Sequence, residues 1–115
     1  MILAGIYINP QSHARTNSDI TETFSFLHLD ISDAQATSSH LLLLGDFNAH
    51  LTDSPDIFPE HASLLGTFPQ LSQNRLGHYS SPNLAGECLS DIAAQTPLIL
   101  TTGRGKGDTG TPTFF

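Results

Sequence analysis

The sequence predicts an α/β fold in which helices pack on a sheet. Three observations support this prediction: short apolar runs typical of strands, longer segments with apolar residues at helical spacing, and an order in which the two types alternate. The order is strand, helix, strand, long loop, helix, strand and the start of a further strand. The chain of 115 residues, taken as one unit over 1–115, is long enough for one small domain with a single core.

The first predicted element is a strand at residues 2–8, which read ILAGIYI. This run is apolar and contains β-branched residues, and Asn9 and Pro10 follow it as residues that disfavour a strand. We therefore expect a buried strand at the start of the chain, with Tyr7 near its end.

A helix is expected next, because five apolar residues recur at steps of four, three, four and three along the chain. They are Ile20, Phe24, Leu27, Ile31 and Ala34. Asp19 is the predicted N-cap, and Glu22, three residues later, completes a capping box. Residues 37–39 (TSS) are expected to end the helix.

Four consecutive leucines at residues 41–44 predict the second strand, between His40 and Gly45. A short and continuously apolar run of this kind is typical of a strand that is buried on both faces. Asp46 and Asn48 follow directly, so this strand is expected to hold them at its carboxyl end.

The second half of the chain begins with a predicted loop at residues 51–82, which contains four prolines. Asn83 is the predicted cap of a second helix, whose apolar positions are Leu84, Cys88, Leu89, Ile92 and Ala93. Residues 98–101 (LILT) predict a strand, residues 103–110 (GRGKGDTG) a glycine-rich turn, and residues 112–115 the first part of another strand.

The composition limits the classes of function that the chain can have. Eleven acidic residues against four basic ones give a formal charge of −7, which argues against strong electrostatic binding of nucleic acid by this chain alone. One cysteine excludes an intramolecular disulfide and favours a reducing, intracellular setting. No apolar run approaches the roughly 18–20 residues of a membrane span, so no membrane association is expected.

Asp46 and Asn48 are the first candidates for chemistry. A carboxylate just past the end of a buried strand is held rigidly and still meets solvent, which suits a general base or a metal ligand. An amide two residues later can orient a water molecule or hold a phosphate oxygen. Asp and Asn are also common after strands for a structural reason, because both residues tolerate turns, so a purely structural interpretation stays open.

Tyr7 is the third candidate. A phenol near the end of a strand can donate a hydrogen bond to a phosphoryl oxygen. Tyrosine also favours strands for its packing alone, so this residue too has a structural interpretation.

Other chemistry-bearing residues point to no site. The six histidines form no HExxH motif and no His/Cys ligand pair, so they identify no zinc site, and the metal ligands stay unknown from the sequence. No GxSxG motif is present, which argues against a serine acyl-transfer enzyme. Residues 103–110 could cradle a phosphate, but they do not match a P-loop and are better interpreted as a hairpin turn. Cys88 lies on an apolar stripe and is expected in the core.

Four segments occur in the order found in one known superfamily: residues 5–10 (GIYINP), 43–50 (LLGDFNAH), 83–86 (NLAG) and 110–114 (GTPTF). Together they resemble the endonuclease/exonuclease/phosphatase superfamily of metal-dependent phosphodiesterases. More narrowly, they resemble the endonuclease domain that precedes reverse transcriptase in non-LTR (LINE-type) retrotransposons. The resemblance implies a layered α/β sandwich, of which this chain would be about half.

The resemblance also implies roles for residues. Asp46 would act on the attacking water as its base or anchor, Asn48 would help to hold that water and the phosphate, and Tyr7 would donate to a non-bridging phosphate oxygen. Mg²⁺ would be the cofactor, DNA the substrate and the nucleus the location. A reverse transcriptase domain or a complementary domain half would be the protein partner.

Two parts of the family pattern are missing from this sequence. The family has an Asn and a metal-binding Glu before the tyrosine strand, and a Ser-Asp-His or Asp-centred segment soon after the Pro-Thr-Phe block. We therefore expect no appreciable nuclease activity from these 115 residues alone. Two alternatives remain: a non-catalytic interaction or scaffold remnant, and a superfamily member that acts on a phospholipid or inositol phosphate.

Overall fold

The computed structural model describes residues 1–9, 16–38, 40–52, 77, 79–96 and 98–101. Four elements lie in this part of the chain: β1 (Ile2–Tyr7), α1 (Asn17–Thr37), β2 (Leu41–Asp46) and α2 (Leu84–Gln95). β1 and β2 pair in parallel, with their register running from Ile2 opposite Leu41 to Tyr7 opposite Asp46. Since α1 connects them, the first half of the fold is a βαβ unit, and an α/β fold is confirmed.

The capping of α1 differs from the prediction by one turn. Thr16 is the N-cap: its hydroxyl accepts from the Asp19 N–H at 3.2 Å, and the Asp19 carboxylate accepts from the Thr16 N–H at 3.0 Å. Asp19 is therefore the third helical residue and the acidic member of the box, so the predicted Asp19–Glu22 box is wrong. Thr16 could take this position because its backbone is extended, as an N-cap requires.

Both helices pack on the same face of the sheet and enclose the core. The predicted apolar face of α1 is confirmed, because Ile20, Phe24, Leu27 and Ile31 are all buried. Ala85, Leu89 and Ile92 of α2 join the same cluster, and Ile6, Leu41 and Leu43 contribute from the sheet. The Gln35 side chain donates to the Thr96 carbonyl, which joins the end of α1 to the end of α2.

The opposite face of the sheet is exposed. Leu42 and Leu44 keep 45% and 54% of their surface accessible, and Leu3 beside them is exposed as well. The prediction that residues 41–44 are buried on both faces is therefore wrong. A run of leucines indicates a strand, but it does not tell how many faces of that strand other elements will cover.

Residues 98–101 are not part of a strand, contrary to the prediction. The Leu98 N–H donates to the Ala93 carbonyl at 3.2 Å, and Leu98 and Leu100 pack against the core as a continuation of the chain beyond α2. The predictions for residues 103–110 and 112–115, and most of the predicted 51–82 loop, lie outside the described residues. No helix within the described ranges has the length and apolarity needed to cross a membrane.

Candidate functional site

The carboxyl ends of the two strands lie side by side and bring two of the predicted site residues together. Tyr7 is opposite Asp46 in the register, and the Ile8 N–H extends the ladder by donating to the Asp46 carbonyl at 2.9 Å. Neighbouring strands are about 4.8 Å apart, so the two side chains are adjacent. Both are exposed on the face that the helices do not cover, Tyr7 with 67% of its surface accessible.

The Asp46 carboxylate is oriented by the turn that follows it. Its Oδ1 accepts from the Asn48 N–H at 2.9 Å, the pattern of an Asx turn. Its Oδ2 has no hydrogen-bond partner among the described residues. Asp46 is therefore a turn residue, as its structural interpretation proposed. The same hydrogen bond fixes the orientation of the carboxylate, so that Oδ2 can contact a ligand.

Asn48 occupies a backbone conformation that few residues other than glycine adopt, with a φ of 49°. Its side-chain Nδ2 donates to the Ile8 carbonyl, 40 residues earlier in the chain. Asn48 therefore ties the residue after β2 to the end of β1. Its Oδ1 has no partner in the part of the chain that the structure describes, so the side chain keeps an acceptor for a water molecule or a ligand.

Asn83 joins this turn to the start of α2. Its Oδ1 accepts from the Gly86 N–H at 2.8 Å, as expected of the predicted N-cap, and also from the His50 N–H at 2.8 Å. Its Nδ2 donates to the Asn48 carbonyl at 3.1 Å. The cap was predictable from the sequence, but the two contacts with the turn were not, because no local pattern reports contacts between residues 33 and 35 positions apart.

His50 and Tyr79 form a stacked pair beside the same turn. Their ring centroids are 3.9 Å apart and the ring planes differ by 5°. Both residues are half-buried. The stack adds packing at His50, two residues after Asn48.

Divalent-metal ligands are sparse at this edge. Within the described ranges, no group of three or more His, Cys, Asp or Glu side chains could hold a metal ion. The donors that the edge does offer, the Asp46 carboxylate and the Asn48 amide oxygen, are oxygens, which Mg²⁺ prefers. Mg²⁺ is commonly bound through one or two carboxylates together with water and substrate phosphates.

Cys88 is half-buried in α2 and is no candidate nucleophile. Desolvation raises the pKa of its thiol above the ordinary value, and the carboxylates of Asp91 and Glu87 raise it further. A thiol in such surroundings stays protonated and unreactive near neutral pH, in agreement with the structural role expected from its position on the apolar stripe.

Comparison of the chain with protein-family models, curated proteins and solved structures finds no match. The family resemblance of the four sequence segments therefore stays a prediction. The feature of the molecule that bears on function is the edge, where a phenol, a carboxylate and an amide lie at the ends of two parallel strands.

Proposed function

We propose that this edge belongs to a phosphodiester-hydrolysing site of the endonuclease/exonuclease/phosphatase type, in a chain that forms about half of a layered α/β sandwich. The observation that carries the proposal is the register of β1 and β2, which places Tyr7 beside Asp46 at the carboxyl ends of the strands. Ligand sites of open α/β sheets lie at these ends. The exposed apolar face of the sheet supports the half-sandwich, since a second sheet would cover such a face.

Each side chain at the edge has a chemical role in this proposal. Asp46 Oδ2, which has no partner among the residues that the structure describes, accepts a proton from the attacking water or anchors it, while Oδ1 stays bound to the turn. Asn48 Oδ1 helps to orient the same water. The Tyr7 hydroxyl donates to a non-bridging phosphate oxygen. Positioning and hydrogen bonding of this kind supply most of the catalysis in phosphoryl transfer.

The proposed cofactor is Mg²⁺, and the donors that the described part of this edge offers it are the oxygens of Asp46 and Asn48. The ion would supply positive charge against the phosphate. One carboxylate is a minimal protein contribution to such a site, so we expect weak binding and little or no turnover by these 115 residues alone.

DNA is the proposed substrate, which would place the protein in the nucleus. A charge of −7 gives the chain little electrostatic attraction for a duplex, so DNA binding would depend on a partner. A reverse transcriptase domain or a complementary domain half is the proposed partner. An inositol-phosphate substrate would use the same three side chains and is distinguished by the experiment below.

The test is an NMR titration of the chain with Mn²⁺, a paramagnetic substitute for Mg²⁺, followed by a phosphodiester. Two probes are compared, a thymidine dinucleotide and glycerophosphoinositol. We expect Mn²⁺ to broaden the amide signals of Tyr7, Asp46 and Asn48 first, and the preferred phosphodiester to shift the same signals. Asp46→Asn should abolish both effects, whereas Asp33→Asn, which removes an exposed carboxylate from α1, should leave them unchanged. Broadening that is absent from this edge, or that survives Asp46→Asn, would overturn the proposal.

A plasmid-nicking assay tests the second part of the proposal. We expect no metal-dependent nicking by the 115-residue chain. Nicking that requires Mg²⁺ and is lost in Asp46→Ala would confirm the site and show that the expectation of inactivity is wrong.

A second candidate function, that of an interaction module, is favoured by one observation: the sheet face that carries Leu3, Leu42 and Leu44 is apolar and exposed. Exposed apolar patches of this kind commonly mark interaction surfaces. Sedimentation velocity over a range of concentrations tests it. Self-association that Leu44→Lys abolishes and Asp46→Asn leaves unchanged would support an interaction role, and a monomer at all concentrations would count against self-association.

A further inference from the structure

We propose that Asn83 is a positioning residue of the edge, which acts by holding the turn that carries Asn48. The effect of this role on catalysis rests on the proposed function, but the hydrogen bonds from which the role is inferred do not depend on that function. Helix capping requires only the contact between Asn83 Oδ1 and the Gly86 N–H. The same side chain makes two further hydrogen bonds, to the Asn48 carbonyl and from the His50 N–H, that capping does not require.

These two contacts bracket the turn. One holds the carbonyl of Asn48 and the other holds the amide of His50, so the intervening backbone is clamped against the first turn of α2. The fit is close: a Cβ at Gly86 would collide with the His50 carbonyl. The clamp matters because Asn48 has a φ of 49°, a conformation that needs support from its surroundings.

The clamp is connected to the proposed catalytic residues through the backbone and side chain of Asn48. The N–H of Asn48 is the donor that orients the Asp46 carboxylate, and the Asn48 side chain is bound to the end of β1. If the turn relaxes, the carboxylate loses its orienting donor and the Asn48 side chain loses its fixed position. Asn83 therefore sets the geometry of Asp46 and Asn48 without touching a substrate.

Two variants separate this role from capping. Asn83→Ser keeps an efficient cap without charge, but its shorter side chain reaches neither Asn48 nor His50. Asn83→Asp keeps both accepted hydrogen bonds, but it replaces the donor to the Asn48 carbonyl with an oxygen that repels it. Thr16→Ala is the matched control, because it removes a cap of α1 that lies away from the edge.

The measurements are the thermal midpoint, amide hydrogen exchange at Asn48 and His50, and the Mn²⁺ concentration that broadens the Asp46 signal. In Asn83→Ser we expect a midpoint lowered about as much as in Thr16→Ala, because two hydrogen bonds are lost, together with exchange at His50 faster by about three- to tenfold and a higher Mn²⁺ concentration for the same broadening. Asn83→Asp should restore protection at His50 and still shift the Asn48 signals. Thr16→Ala should lower the midpoint and leave the edge unchanged.

The outcomes distinguish this inference from the proposed function. Normal exchange and normal Mn²⁺ broadening in both Asn83 variants would overturn the positioning role, whatever the unmodified chain binds. An effect of Thr16→Ala on the edge as large as that of Asn83→Ser would also overturn it, because the cause would then be general destabilisation. If the unmodified chain shows no Mn²⁺ broadening at Asp46 but exchange changes as expected, the clamp stands and the proposed function fails.

Discussion

Gly45 lies opposite Ile6 in the parallel ladder, and its backbone comes so close to the Ile6 carbonyl that a Cβ at this position would collide with it. Its φ of 152° is in the region that favours glycine. Glycine in a strand ordinarily weakens the sheet, so its presence one residue before Asp46 indicates a backbone requirement. The close approach helps to bring the end of β2 against the end of β1, where Tyr7 and Asp46 meet.

Replacement of Gly45 by alanine is expected to destabilise the fold by about 3 kcal/mol or more, from backbone strain together with the steric collision. Gly5 is the matched control on the neighbouring strand, because a Cβ there meets no atom within 4 Å. Gly5→Ala should be neutral or stabilising by up to about 1 kcal/mol. Urea unfolding followed by circular dichroism measures both, and equal stability of the two variants would contradict the role assigned to Gly45.

Asn48 is expected to contribute to stability through its side chain and its backbone conformation. Asn48→Ala loses the hydrogen bond to the Ile8 carbonyl, at about 1 kcal/mol, and places alanine at a positive φ, at about 1 kcal/mol more. Asn48→Gly loses only the hydrogen bond and should cost about half as much. Chemical denaturation measures the free energy of unfolding of both variants. A glycine variant less stable than the alanine variant would show that the positive φ of Asn48 does not cost alanine the expected free energy.

The core face of α1 should respond to truncation far more than its outer face. Phe24 is buried in the cluster between helices and sheet, whereas Phe26, two residues later, is exposed. Phe24→Ala is expected to cost about 3–5 kcal/mol and Phe26→Ala less than about 0.5 kcal/mol. The difference in thermal midpoint between the variants measures this, and comparable losses would contradict the packing of α1 on the sheet.

The Cys88 thiol is expected to react slowly with iodoacetamide at pH 8, since burial and then the Asp91 and Glu87 carboxylates raise its pKa and lower the thiolate fraction. Asp91→Asn removes one of these charges and should speed alkylation, while Asp33→Asn on α1 should not. An unchanged rate in Asp91→Asn would show that the charge of Asp91 has no effect on the thiol.

The same thiol makes stability depend on pH. Its pKa is higher in the folded than in the unfolded chain, so the folded state favours the neutral thiol. This contribution is complete below the unfolded pKa, about 8.5, and is lost as the pH rises through the folded pKa. Cys88→Ser should therefore lose less stability than the unmodified chain over the alkaline range above about pH 8.5, where the unfolded thiol ionises before the folded one. Thermal midpoints over that range provide the measurement.

Local patterns were sufficient for the elements themselves. The apolar spacing of residues 20–34 predicted the buried face of α1, and Asn83 was recognised as a cap, because helical period and capping chemistry depend on residues a few positions apart. The N-cap of α1 was misplaced by one turn, since Asp19 and Thr16 are both good caps and only the backbone conformation distinguishes them. The strand predicted at 98–101 failed because apolar residues can cover a core without pairing in a sheet.

The sequence by itself determined which segments are helix and strand in most of the described chain, and it identified Tyr7, Asp46 and Asn48 as candidates. Only the tertiary structure decided that Tyr7 lies opposite Asp46, that one face of the sheet is exposed, and that Asn83 holds the turn at Asn48. The physical reason is the distance along the sequence over which each kind of interaction acts. Propensity and periodicity act over a few residues, whereas register, burial and the Asn83 contacts join residues more than thirty positions apart and exist only once the chain has folded.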